Sequence, residues 1–80
     1  MRYTFADCEL DTQLCTLRRA GQLLQLRPKV FRVLLYLVEH RYQLVTKQAL
    51  LEHVWPHQFV SEATLENCLK EVRQALILQL

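Results

Sequence analysis

The apolar residues of this 80-residue chain change their spacing at Arg27-Pro28, and that change limits what the chain can fold into. Before it they alternate with polar neighbours: Tyr3 and Phe5, Cys8 and Leu10, Leu14 with Thr16, Leu24 with Leu26. Alternation is the period of a half-buried strand. Turn residues separate the runs at Ala6-Asp7, Asp11-Thr12-Gln13 and Ala20-Gly21-Gln22, so residues 1–26 predict a four-stranded antiparallel meander. A small sheet with one apolar face needs a cover. Beyond Pro28 the spacing becomes helical: Phe31, Leu34, Leu35 and Val38 form a stripe that Val30, Val33 and Leu37 widen. Pro28 suits a first helical turn, where its missing N–H costs nothing. A central, nearly surrounded helix is expected from Pro28 to about His40.

Two more helices follow. Thr46 is a good N-cap for a helix from Lys47 to about Trp55, with Leu50, Leu51, Val54 and Trp55 on its apolar stripe; Pro56 stops it. Residues 57–60 read as a loop whose Phe59 and Val60 are expected to tuck into the core. Ser61 then caps a third helix, 61–76, with Glu62 in its first turn complementing the dipole. Strands followed by three helices, the last two a helix–loop–helix, are the skeleton of an α+β domain. At this length, residues 1–80 are expected to be one domain, with sheet 1–26 and helical core 28–76.

Composition excludes several classes. Half of the chain is apolar, too much for a disordered tail. Three cysteines without a C-x-x-C pair argue against a disulfide framework and suit a reducing compartment. No stretch approaches the ~20 apolar residues of a membrane span, and the first residues do not resemble a signal peptide, so a cytoplasmic chain is expected. The net charge of +2 and pI near 8.6 are less basic than most DNA-binding domains show, so only the placement of the cations can point to nucleic acid.

That placement is on the third helix. With Leu65 at zero on a wheel of about 100° per residue, Leu69, Val72 and Leu76 fall within about 40° of it, with Cys68 and Ala75 at one edge. Ala63, Asn67, Lys70, Glu71 and Gln74 face away, and Glu66 and Arg73 flank the stripe. Asn and Gln can bond adenine, Lys can bond guanine or phosphate, and Glu can accept from cytosine. Arg73, on the flank near the helix end, suits phosphate better than a base edge. Amphipathicity alone shows only that one face packs, since any surface helix has a polar outer face.

The series Tyr3-Thr4-Phe5, Leu26-Arg27-Pro28-Lys29, Leu34-Leu35-Tyr36-Leu37, Glu52-His53-Val54-Trp55-Pro56, Val60-Ser61-Glu62-Ala63-Thr64-Leu65 and Glu71-Val72-Arg73-Gln74-Ala75-Leu76 resembles the OmpR/PhoB-type transcriptional regulatory domain over almost the whole chain. It is most similar to the CadC-like variety fused to larger regulators. The resemblance implies a winged helix-turn-helix with a four-stranded N-terminal sheet, a three-helix core and a C-terminal hairpin wing. It implies sequence-specific binding of double-stranded DNA with the third helix in the major groove. By position, Thr64, Asn67, Lys70, Glu71 and Arg73 then fall where the family touches DNA, with Ala63 and Gln74 on the same face. It further implies that the 56–60 loop can meet RNA polymerase. Thr46 and Lys47, opening the second helix, suit a phosphate through dipole and charge together.

The chain departs from this pattern after Leu76, where Ile77-Leu78-Gln79-Leu80 stands in place of a glycine-containing turn and two wing strands. A truncated wing is expected to weaken binding and flatten its salt dependence. The rival reading is a wing-less protein–protein module that forms a homodimer through this apolar end, with diminished DNA binding. His53 and His57 have the spacing of a zinc pair, but Pro56 breaks the helix that would align them, so no metal site is expected. Trp55 and Cys68 read as core. Arg18-Arg19 read as a phosphate contact or a solvated turn edge, and Arg27 and Lys29 as structural cations. No phosphate loop, nucleophile elbow or paired carboxylate is present, so neither an enzyme nor a cofactor is expected.

Overall fold

Alternation before Pro28 does produce strands. In the computed structural model, which describes residues 1–77, β1 (Arg2–Phe5), β2 (Cys8–Asp11), β3 (Thr16–Arg19) and β4 (Gln22–Leu24) form one antiparallel sheet in the order β1-β2-β3-β4. Its register sets Tyr3 opposite Leu10, Leu10 opposite Leu17, and Leu17 opposite Leu24. That row of four side chains crosses the sheet on one face and meets the helices, with Leu10 and Leu17 fully buried.

The turns set this register. Ala20 and Gly21 both have positive φ, 51° and 80°, as a two-residue hairpin loop that matches strand twist requires, and glycine takes the second position without strain. Gln22, expected in that turn, instead opens β4. Between β2 and β3, Asp11 Oδ1 accepts from the backbone N–H of Gln13 and Leu14 at 2.9 and 3.1 Å. This Asx turn lengthens the loop to Cys15. The expected pairing of Leu14 with Thr16 as strand residues is therefore corrected. Leu14 lies in the turn, 71% exposed, and Leu17 is the residue that points inward. Leu26, expected in the last strand, follows β4 and packs partly buried against the core.

Helix α1 (Pro28–Glu39) has Pro28 in its first turn and buries Val30, Phe31, Val33, Leu34 and Val38. Helix α2 (Lys47–Val54) is capped by Thr46, whose hydroxyl accepts from the Ala49 N–H at 3.0 Å. At its other end Trp55 is the C-cap and is buried in the core. Helix α3 (Glu62–Ile77) is capped by Ser61, whose Oγ accepts from the Thr64 N–H at 3.3 Å. It contributes Leu65, Cys68 and Val72 to the core that sheet and helices share. Burial raises the thiol pKa of Cys68, and likewise of Cys8, which favours the neutral thiol.

The link from α2 to α3 corrects a second expectation. Pro56 ends α2, His57 reverses the chain at φ 62°, and the Gln58 N–H returns to the Trp55 carbonyl at 3.3 Å. That tight reversal leaves Phe59 at the loop's tip, fully exposed, and only Val60 comes back to the core. The apolar end invoked for a missing wing or a homodimer involves Leu78, Gln79 and Leu80, which lie outside the described residues. No helix among the described residues is long and apolar enough to cross a membrane.

Candidate nucleic-acid interface

The outer face of α3 is where the sequence puts its recognition chemistry, and Ala63, Thr64, Asn67, Lys70, Arg73 and Gln74 are all exposed there. Neither Lys70 nor Arg73 forms a hydrogen bond or ion pair with another described residue. Both cations are available to an anion outside the chain. Thr64 is partly engaged, its hydroxyl 3.3 Å from that of Ser61. Thr64 and Asn67 border an open hollow of about 560 Å³ between α3 and the start of α1, with Trp55 among its lining residues.

Glu71 is placed otherwise than the wheel suggested. Its carboxylate takes both arms of the Arg27 guanidinium, with Nε at 3.2 Å from Oε1 and Nη2 on Oε2. While that fork is closed, the carboxylate is a poor acceptor for a cytosine amino group. Arg27 is the N-cap residue of α1, but its side chain makes no capping hydrogen bond and instead ties the start of α1 to α3. Lys29, the other cation there, donates to the Val54 carbonyl at 3.0 Å and lies 5.9 Å from the Trp55 ring centroid. It thereby satisfies the C-terminal end of α2.

On the opposite flank Lys47 pairs with Glu66 at 2.6 Å. The hydrogen bond and charge of Glu66 raise the Lys47 pKa, with Glu62 adding to the effect. The same pair lowers the Glu66 pKa, chiefly through the Lys47 hydrogen bond, and Arg73 pulls in the same direction. Lys47, offered with Thr46 as a phosphate site, thus lies beside α3 with its ammonium on a carboxylate. Sequence reasoning did not assign Glu66 a role and gave Arg27 only a structural one. No local pattern joins Arg27 to a residue 44 positions away.

The remaining candidates resolve simply. Arg18 reaches the Gly21 carbonyl at 3.5 Å, and Arg19 lies 3.7 Å from Asp7. His53 is set against the Tyr36 ring, centroids 4.5 Å apart, and Tyr36 also stacks on His40. Among the described residues no group of three or more His, Cys, Asp or Glu side chains could hold a metal ion.

A short capped helix, a tight loop and a second capped helix packed along one seam make a helix-turn-helix, and the outer face of α3 exposes cations and amides. Residues 21–79 match the family described as "Transcriptional regulatory protein, C terminal". The chain is 31% identical over 71 residues to the transcriptional regulatory protein AfsQ1 of Streptomyces coelicolor, covering 88% of this chain and 32% of that one. It is 24% identical over 62 residues to the uncharacterized transcriptional regulatory protein YkoG of Bacillus subtilis, covering 78% and 27%. The response regulator DrrB of Thermotoga maritima, an OmpR/PhoB homolog, superposes with a TM-score of 0.84 at 32% identity, over 91% of this chain and 33% of that one. A streptococcal protein from a family of redox sensors evolved from two-component response regulators reaches the same TM-score of 0.84 at 19% identity, over 95% and 33%, a likeness of fold alone.

The chain therefore belongs to the family of C-terminal DNA-binding domains of transcriptional regulators, of the OmpR/PhoB winged-helix type. This is a family of DNA-binding domains rather than of catalysts. The chain spans about a third of the length of these relatives.

Proposed function

We propose that this chain acts as one winged-helix unit that binds double-stranded DNA sequence-specifically, with α3 in the major groove. The observation that carries this reading is the outer face of α3, where Lys70 and Arg73 form no hydrogen bond or ion pair with another described residue. Asn67, Lys70 and Gln74 face base edges, Ala63 lets the groove wall approach closely, and Arg73 meets a phosphate. Thr64 and the α2 N-terminus at Thr46 and Lys47 lie against the backbone. Glu71, at the edge of that face, holds Arg27 in the free chain.

The test is fluorescence anisotropy of the whole chain with labelled duplex DNA across a salt series. Lys70→Ala is expected to weaken binding about tenfold, the loss of one good base or phosphate contact. Arg73→Ala is expected to flatten the slope of log affinity against log salt by about 0.9. If both variants melt like the parent and bind unchanged, the α3 assignment is wrong. A dimer in sedimentation with no DNA binding would favour the rival interaction module.

A second contact rests on Phe59, a large aromatic fully exposed at the tip of the 56–60 loop. Exposed aromatics at a loop tip suit a protein partner, and RNA polymerase is the partner that the family resemblance suggests.

A further inference from the structure

We propose that Glu66 and Glu71 stand in for DNA phosphates, holding Lys47 and Arg27 on the two flanks of the groove-facing strip until duplex DNA displaces the carboxylates. This rests on the reading of α3 as the DNA-facing helix. Around α3 the two carboxylates are about 140° apart, on either side of Ala63, Asn67, Lys70 and Gln74. Each draws in a cation from the start of another helix, Lys47 from α2 and Arg27 from just before α1. A helix in the major groove has a sugar–phosphate backbone on each side, so cations on both flanks meet both strands. A guanidinium fork matches carboxylate and phosphate alike, and an ammonium, a point charge, pairs with either.

Charge and exposure support exchange. By itself α3 carries three carboxylates, Glu62, Glu66 and Glu71, against Lys70 and Arg73, an adverse balance beside DNA. Lys47 and Arg27 reverse it. Both pairs are open to water, with side-chain exposures of 54% and 47% for Lys47 and Glu66 and 65% and 37% for Arg27 and Glu71. Exposed single-contact pairs such as Lys47 with Glu66 are weak, and the Arg27–Glu71 fork, though bidentate, is open to water and to a competing phosphate. Since the attraction of phosphates for cations supplies nearly all non-specific affinity, a carboxylate already on each cation holds that part down.

The experiment measures binding of the whole chain to a labelled random-sequence duplex for Glu66→Gln and Glu71→Gln, alone and combined with Lys47→Ala and Arg27→Ala. Circular dichroism melts accompany each variant. Each glutamine variant is expected to bind about three- to tenfold tighter with a salt slope close to the parent's, because the same cation ends on phosphate in both complexes. The gain of Glu66→Gln disappears with Lys47→Ala, and that of Glu71→Gln with Arg27→Ala. Glu52→Gln, whose carboxylate accepts from Gln48 within α2, gives no gain. Should losing the Arg27–Glu71 tie loosen the fold, the Glu66 and Lys47 arm decides alone. A gain that persists undiminished without the cation overturns the proposal, because the carboxylates would merely repel DNA. So does the absence of any gain while Lys70→Ala still weakens binding, a result that leaves the α3 reading intact. If Lys70→Ala and Arg73→Ala change nothing, or no variant binds, that reading and this proposal fall together.

Discussion

Helices α1 and α3 carry apolar stripes of the same spacing, yet they end in different situations. α1 buries five residues among sheet, α2 and α3, whereas α3 buries Leu65, Cys68 and Val72 along one seam. The outward side of α1 is spent on internal ties: Arg32 reaches the His53 carbonyl at 3.4 Å, and Tyr36 stacks on His40. The outward side of α3 ends in Lys70 and Arg73, which form no hydrogen bond or ion pair with another described residue. A helix surrounded by its own chain supports; a helix with one packed seam can lie in a groove.

The largest expected effect breaks the supporting helix. Leu34 is 2% exposed, and Leu34→Ala should destabilise the chain by about 2–5 kcal/mol, a large share of what a small domain has. Urea unfolding followed by circular dichroism measures it, and a loss below about 1 kcal/mol, close to the range of a surface change, would mean that α1 is not the scaffold. A smaller effect is expected from α2, which joins the two helices. Thr46→Ala removes the cap on Ala49 and should cost about 1 kcal/mol in the same measurement, with DNA affinity reduced as the α2 N-terminus frays. An unchanged midpoint would show that packing alone holds that end.

The smallest effect concerns the outer side of α3. The Glu66 carboxyl is held below its ordinary value by Lys47, so the pair's contribution is present above the unfolded glutamate value of about 4.3. It is lost as pH falls through the lower folded value. The Lys47 pKa is raised, so at the basic end the same contribution is lost as pH climbs past the ordinary lysine range. The small difference in melting temperature between parent and Glu66→Gln should therefore be seen at neutral pH and vanish in acid. A difference that grows in acid would reverse the sign assigned to the pair.

Much of this was legible because it is local. The switch of period at Pro28, the Thr46 and Ser61 caps and the Pro56 stop each act within a few residues, and each boundary falls within a residue or two of where the pattern puts it. Leu14 was misread for a local reason too: Asp11 gathers two backbone N–H groups and lengthens the turn, which moves the inward phase to Leu17. Phe59 failed differently. Hydrophobicity placed it inside, but the left-handed turn at His57 aims it at solvent.

The sequence by itself determined which face of each helix is apolar, where the helices begin and end, and the family to which the chain belongs. Only the tertiary structure decided which charges meet. Periodicity reports on neighbours along one element, whereas an ion pair such as Arg27 with Glu71 depends on how two elements pack, and no residue near either partner encodes that. For α3 this distinction matters most: its polar face is written in the sequence, but the pairing of Glu71 and Glu66 with cations from other elements is a product of the fold.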